Sequence, residues 1–323
     1  MSLSPVAGAI LRADIAGVIE DALFSDELLI GTRVMTPLPV DARNGQYPRL
    51  RIASGNLLKP GDVKRRGPTA DYARKTRQWE EDQYSCEEYG LEGLLGYDTI
   101  ADLSRFFDAE ATTARLTQSD LLLAHEKRVA AEIFNDSTFA AITSSTAYSS
   151  GNVEIFDLGL DVDLAKEEIR KRGESTAPDR LKVIIPASLY PIIRTSKKLQ
   201  QRVFGLSRSA DTRPLTPAEL AEALEVREVL IGRATYNAAK EGKAADLTDI
   251  WDDAFVWVGQ VSDSDNIMSG GAGRTMFWRQ DSNLVTVESY DVPEKRSLAL
   301  RVRHTTDEKI VNANTGQLIR TQV

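Results

Sequence analysis

The chain has 323 residues, 42% of them hydrophobic and 27% charged, with a formal net charge of -8, two histidines and one cysteine. That length can bury a sizeable core in one large or two ordinary domains. No run approaches the ~18 consecutive apolar residues of a membrane helix; the lone Cys86 excludes an internal disulfide and argues against a structural zinc site; and the negative balance argues against a DNA-binding protein that works through its overall field.

The opening MSLSPVAGAILRAD has no basic region ahead of a long apolar core and is interrupted by Asp14, so no signal peptide is expected. Leu11, Ile15, Val18 and Ala22 recur at helical spacing, weakened by Gly17, which predicts an arm with a short helix over 13–23. Pro37, Pro39, Gly45, Pro48, Gly55 and Pro60 then forbid a long regular element. The next stretch is basic: Lys59, Lys64, Arg65, Arg66, Arg74, Lys75 and Arg77 stand against Asp62 and Asp71, a local excess of five positive charges. Residues 40–90 therefore read as an extended, exposed hairpin whose base joins the body near Trp79 to Leu91. Holding little that could make its own core, such an excursion is costly to order unless something covers it, so it is either mobile in a monomer or laid on a neighbouring subunit.

From Asp108 to Asn135, DAEATTARLTQSDLLLAHEKRVAAEIFN predicts one long helix. Leu116, Leu123 and Ala130 recur every seven residues, beside Leu122, Val129, Ile133 and Phe134, drawing an apolar stripe. Asp108 and Glu110 sit at the positive end of the helix dipole, and Lys127 and Arg128 lie toward the negative end. At ~1.5 Å per residue the rod is about 40 Å long and needs a surface to lie on. The alternating segments 284–290, 298–304 and 309–319 are that surface, which makes the first half and the last forty residues one domain wrapped around an insertion.

Within the insertion, 144–153 is a loop by composition. Asp161 is placed to cap a helix from Val162 to Arg172 that Gly173 ends. Leu181 to Ile185 reads as a strand buried on both sides, and Pro191 to Thr195 opens a short helix. Thr216, Pro217 and Glu219 form a capping box for a helix to Leu224. Strand-like runs follow at 226–231, 254–258 and 275–279, with a polar segment over 237–248. In the closing block Leu298, Leu300 and Val302 face one way and Arg301 and Arg303 the other, predicting one buried and one wet face. Val311 and Leu318 to Ile319 flank ANTG, which reads as a hairpin.

Catalysis is not advertised. His125 and His304 have no sequence neighbour that marks a general base, and no GxSxG elbow occurs. SGGAGR at 269–274 lacks the spacing of a phosphate loop and reads as a flexible connection. Asp263, Asp265 and Asn266 start like a calcium loop, but Ile267 and Arg274 stand where ligands belong. Asp252 and Asp253, as neighbours on a strand, would point to opposite faces and share no proton. Cys86 reads as a small strand side chain, and the basic segment has only Tyr72 interleaved, a poor stacking platform. No cofactor and no metal site is implied.

The order and texture of YSCEEYGLEGLLGYDTIADLSRFFDAEATTARLTQSDLLLAHEKRVAAEIFN (84–135), RLKVIIPASLYPIIRTSKKLQQRV (180–203), LEVREVLIGRATYN (224–237) and ESYDVPEKRSLALRVRHTTDEKIVNANTGQLI resemble the major capsid protein of tailed bacteriophages, with the Hong Kong 97 type fold. The resemblance implies an α+β chain with an N-terminal arm (1–39), an extended loop (40–90), a peripheral domain (91–154) carrying a spine helix at 108–135, an inserted axial domain (155–285) and returning peripheral-domain strands (286–323). It further implies a structural protein, not an enzyme, that assembles in the host bacterial cytoplasm into hexamers and pentamers of an icosahedral virion head around double-stranded DNA. Its partners would be other copies, a portal and separate scaffolding or decoration proteins, with no membrane. In such shells the extended loop lies over an adjacent subunit, so Lys64, Arg65, Arg66, Arg74, Lys75 and Arg77 would meet acids of a neighbour such as Glu80 to Asp82. Two departures limit the likeness. No long charged N-terminal helix of a fused scaffold is present, and no motif ties Lys64 or Lys75 to Asn312 or Asn314, so no covalent cross-link is expected. The alternatives are an encapsulin-like shell around protein cargo and, from another class, a soluble enzyme using a divalent metal on Asp252, Asp263 and Asp265.

Overall fold

The computed structural model describes residues 10–11, 28–50, 63, 65–66, 68, 71–72, 74, 79–104, 108–205, 213–264, 266, 270–281 and 284–322. The helix expected over 13–23 lies outside them. In chain order the elements are β1 (Ile10–Leu11), α1 (Gly31–Val34), β2 (Thr36–Val40), β3 (Asn44–Leu50), β4 (Trp79–Ser85), β5 (Glu87–Gly96), α2 (Tyr97–Leu103) and α3 (Ala109–Ile133). There follow β6 (Ala141–Thr143), α4 (Leu158–Lys171), β7 (Leu181–Pro186), α5 (Tyr190–Ile193), α6 (Lys197–Phe204), α7 (Pro217–Ala223), β8 (Glu228–Gly232), β9 (Thr235–Asn237) and β10 (Leu247–Asp249). The chain closes with β11 (Phe255–Gln260), β12 (Gly273–Trp278), β13 (Thr286–Val292), β14 (Ser297–Ile310) and β15 (Gly316–Arg320).

The first sheet is built on the 14-residue β14. β5 runs antiparallel along one edge of it, while the other edge takes β13 over its first half and β12 over its second. β1 extends the sheet beyond β13, and β2 lies parallel to β12. The two-residue alternation works as expected: Leu300 and Val302 turn inward to meet Ala114, Leu121 and Leu122 of α3. On the opposite face Arg301 bonds Glu92 at 2.6 Å and Arg303 bonds Glu288 at 3.0 Å, cross-strand pairs that set the register of three strands.

The second sheet has the order β6-β15-β11-β7-β8. All six residues of β7 are buried, because each face has its own core. Val183 and Ile185 pack with Val162 and Ile169 of α4, Leu199 of α6 and Leu220 of α7. Ile184 faces the other way, among Leu230, Trp251, Trp257 and Leu318, and there it meets Val129, Ala130 and Ile133 of α3. The long helix thus serves two sheets, the first with its N-terminal half and the second with its C-terminal half.

This bridging corrects the expected stripe. The helix has the predicted extent, with the Asp108 side chain accepting from the Ala111 N–H at 3.1 Å, but Leu116 is 64% exposed on its outer side. The buried line runs through Ala114, Leu121, Leu122, Val129, Ala130 and Ile133, with Thr117, Gln118, His125 and Glu126 buried between them. Polar groups occupy the middle because that part of the helix faces the seam between the cores, where backbone donors of other segments arrive.

Glu126 is the clearest case. At 1% exposure it accepts from the backbone N–H groups of Ile30 at 3.1 Å and Gly31 at 2.6 Å, and from the indole N–H of Trp251 at 2.7 Å. One carboxylate therefore joins the start of α1, the middle of α3 and the turn ahead of β11.

Three further expectations change. ANTG does not close a hairpin: Ala313–Thr315 is a short 3₁₀ turn, held by the Asn314 N–H on the Asn312 side chain, and it carries the chain from β14 to β15, which pairs with β11 and β6 in the other sheet. Helix α4 begins earlier, capped by Asp157. Asp161 lies inside it, buried, and accepts from Ser144 Oγ at 2.7 Å and Tyr148 Oη at 2.5 Å. The Thr216–Glu219 capping box and the glycine stop at Gly173 form as predicted.

Replacing Glu126 with Ala strands three buried donors at ~1–3 kcal/mol each, so a loss of about 3 kcal/mol or more is expected in a urea unfolding curve. Glu126→Gln keeps one acceptor oxygen and should lose less; an Ala variant as stable as the parent would contradict this role.

Candidate assembly surface at the base of the long hairpin

β3 and β4 pair from Asn44 with Ser85 to Leu50 with Trp79, the stem of the predicted extended loop. Unlike the expectation of almost no core, the stem has a small one where it meets the body: Tyr47 and Cys86 bury against Met276, with Val40, Tyr84 and Val311 beside them. Polar contacts then aim it. The Tyr47 hydroxyl donates to Asp82 Oδ2 at 2.9 Å, Lys309 Nζ stands 3.6 Å from Asp82 Oδ1, and the Ser85 N–H donates to Asp307 Oδ2 at 2.9 Å. The end of β14 thereby fixes the direction in which the hairpin leaves.

Of the predicted contact residues, Arg65, Arg66 and Arg74 are exposed, and Arg66 stacks over the Tyr72 ring at 4.5 Å. Lys64, Lys75 and Arg77 lie outside the described residues. On the acidic side Glu80 and Glu81 are exposed, whereas Asp82 is already engaged by Tyr47 and Lys309.

Between the stem, α3 and β14 lies a groove of about 880 Å³, lined among others by Gly45, Tyr84, Glu87, Arg128, Glu132 and Asp307. Its floor is a polar cluster that sequence reading missed. Arg128 makes a two-point contact with Glu308, at 2.9 and 3.1 Å, and donates to His304 Nε2 at 3.0 Å. Since arginine has no acceptor, His304 Nε2 must accept, and its proton sits on Nδ1, which finds no partner among the described residues. His125 packs edge-on against His304 with ring centroids 5.9 Å apart, and its Nε2 lies 3.3 Å from Thr275 Oγ1 and 3.5 Å from Glu308 Oε1.

Burial, together with His125 and Arg128, pushes His304 down to about 3. Burial also lowers His125, to about 4, despite the nearby Glu308. Glu308 goes the other way: burial opposes ionisation, but Arg128 bonds to it and holds it below the usual carboxylate range. The cluster is a neutral histidine pair beside one ion pair. The only sequence signal for it was the break of polar residues in the helix stripe at 117–118 and 125–126.

The other chemical candidates separate. Asp263 is paired with Arg227, Asp265 lies outside the described residues, and among the described residues no group of three or more His, Cys, Asp or Glu side chains could hold a metal ion. Asp252 and Asp253 are not on a strand but in the turn before β11. There burial and a hydrogen bond to Asp252 raise Asp253, so the two carboxyls do meet, contrary to expectation. Burial, followed by Asp307 and Glu308, pushes the Cys86 thiol up to about 12, which leaves it inert at neutral pH. Arg274, expected in a flexible connection, is buried at the start of β12 and donates to the Thr36 hydroxyl and to the Ser262 and Ser264 carbonyls. Among the described residues no helix is long and apolar enough to cross a membrane.

No protein-family model matches this sequence, and no curated protein is similar to it. Solved structures are. A phage-related protein from Bordetella bronchiseptica RB50, 20% identical, superposes with a TM-score of 0.71 over 97% of this chain and 98% of that one. The capsid of cyanophage P-SCSP1u, 10% identical, gives 0.56 over 88% and 86%. The chain has the tailed-phage capsid fold. An encapsulin complex from Synechococcus elongatus PCC 7942, 10% identical, gives 0.53 over 90% and 86%, so the capsid fold here is shared with shells of both kinds.

Both histidines titrate lower in the folded chain than their ordinary value of 6.5. Above that value both states are neutral and no penalty arises; as pH falls from about 6.5 toward 4 the unfolded chain takes up protons that the folded chain refuses, and stability is lost. Urea midpoints should fall steadily across that window. His304→Gln should flatten the fall by at least a third, and an unchanged slope would place the acid sensitivity elsewhere.

Proposed function

We propose that this chain is the building block of a closed icosahedral shell, assembling through hexamers and pentamers around double-stranded DNA, with the hairpin as its inter-subunit strap. The observation that carries this reading is the hairpin itself: a stem aimed outward by Asp82, Ser85, Asp307 and Lys309, ending in exposed arginines, on a capsid fold. Exposed apolar side chains support subunit contacts elsewhere. Leu160 and Leu164, one helical turn apart on α4, stand with Ile155 on the surface of the second sheet's layer, a grouping that monomers seldom leave in water.

The net charge of -8 suits an inner wall that must not hold packaged DNA too tightly, since each neutralised phosphate adds salt-dependent affinity. In this reading the virion head forms in the host bacterial cytoplasm, with a portal and separate scaffolding or decoration proteins as further partners, and the chain's role is structural and not catalytic. The second reading is an encapsulin-like compartment, favoured by the likeness to the Synechococcus shell.

Reversing charge in Arg65→Glu, Arg66→Glu and Arg74→Glu should leave unfolding midpoints within about 0.5 kcal/mol of the parent, because exposed charges contribute little each. The same triple variant should fail to form megadalton particles at moderate salt, and in the parent particle formation should weaken as salt rises. Electron microscopy and sedimentation check this; normal particles from the variant would remove the strap. Nucleic acid inside purified particles favours the phage-head reading, and enzyme cargo favours the encapsulin one.

A further inference from the structure

The second sheet ends at β8, which pairs with β7 on one side and with no described strand on the other. Backbone direction along that edge follows from its neighbours. The Val261 N–H donates to the Arg180 carbonyl at 3.2 Å, continuing the β7–β11 ladder, so by the two-residue alternation Lys182 and Ile184 turn their backbone to β11. That leaves Val183 and Ile185 for β8, and the Ala187 N–H on the Gly232 carbonyl at 3.0 Å agrees. On β8, therefore, Glu228, Leu230 and Gly232 serve β7, while the N–H and C=O groups of Val229 and Ile231 point off the sheet. Among the described residues they meet no backbone partner.

The open edge is the floor of a groove of about 370 Å³. One wall is α7, with Pro217, Ala218 and Ala221, and the other is the start of α1, with Ile30 and Arg33. The walls belong to the two faces of the sheet, since Val229 packs with the α7 side and Leu230 with Ile30. A chain lying in the groove thus sits in the plane of the sheet. Edges left in water are commonly blunted by a proline, an inward charge, a bulge or brevity. The far edge of this sheet, β6, has three residues. β8 has five, Glu228 to Gly232, with no proline, and its one charge is engaged by Arg33 and Lys182.

The groove is also basic, in a chain whose net charge is -8. Three arginines line it, Arg33, Arg227 and Arg233, against Glu228 alone. Arg227 stands before the strand and Arg233 just after it, and Arg233 is exposed. The chain's own projecting hairpin is basic and does not match this rim.

We infer that the β8 edge is a docking site for an extended, acidic segment of another protein, which adds to the second sheet as a further strand. Its backbone would complete the ladder on Val229 and Ile231, its small or β-branched side chains would lie against Ala218 and Ile30, and its carboxylates would reach Arg227 and Arg233. A strand matching β8 covers about five residues, roughly 16 Å, which is the spacing its two acidic ends require. The inference holds whether the shell encloses nucleic acid or protein.

The test uses full-length chain and a dye-labelled peptide, Glu-Val-Ser-Val-Ser-Glu, with hydrogen exchange resolved to single amides. In the free, unassembled chain the Val229 and Ile231 amides should exchange rapidly, while that of Leu230 between them is protected. The peptide should slow the two fast amides at least tenfold and leave Leu230 unchanged. N-methylating alternate peptide amides should weaken binding at least tenfold in one phase and little in the other, because only one set faces β8. A lysine-ended peptide should bind at least tenfold more weakly, and Arg233→Glu should narrow that preference. Slow exchange at Val229 and Ile231 in the free chain would show the edge already covered and overturn the proposal. Protection that appears on particle formation but never with the peptide would assign the edge to a second copy and overturn it equally. The exchange measurement needs no substitution, so a misfolded variant does not decide the outcome.

Discussion

The fold depends on one carboxylate that must stay buried. Glu126 sits in the middle of α3, where a helix spanning two sheets has no apolar neighbour to face, and it receives N–H groups from Ile30, Gly31 and Trp251. A lone buried carboxylate would be strongly unfavourable; one that satisfies donors that would otherwise be orphaned becomes a joint. Two of these groups come from the start of α1 and one from the turn that leads into the second sheet, while the helix supplies the acceptor. Their relative placement is therefore set by hydrogen-bond geometry, which is directional, and not by apolar contact alone.

The same logic extends along the seam. Beside it on the helix, Arg128 and His125 fill the space between α3 and β14 together with Glu308 and His304. Desolvation keeps the rings neutral, so the cluster holds one ion pair and not a group of competing charges. The strands tie the halves together as well. β14 runs directly into β15 through a 3₁₀ turn, yet each belongs to a different sheet, and β12 returns from the insertion to pair with β14 and β2. Among the described residues the two sheets share no strand pair, and it is the chain crossing from β14 to β15 and the packing of α3 on both that hold the layers together beneath the hairpin.

Charge is sorted by position. The outer face of the first sheet closes its ion pairs within the chain, with Arg301 and Arg303 on Glu92 and Glu288. The hairpin does not: its sequence carries an excess of five positive charges between Lys59 and Arg77.

The sequence by itself determined the local elements. The uninterrupted run from Asp108, the Thr216 capping box, Gly173, the apolar Leu181–Ile185 and the alternation of 297–304 depend on neighbours within one or two turns, and each appears where these residues require it. The likeness in order and texture reached as far as the capsid fold. Tertiary structure alone decided which side of the helix is buried, exposing Leu116 and burying Glu126, because that depends on where two separate cores end. It alone decided that 316–320 leaves the sheet its neighbour belongs to, that Asp252 and Asp253 face each other in a turn, and that His125 meets His304 from the far end of the chain. Local propensity is carried by adjacent residues and can be read in order; partners brought together by long-range packing leave no periodic trace, only polar residues standing where an apolar pattern should continue.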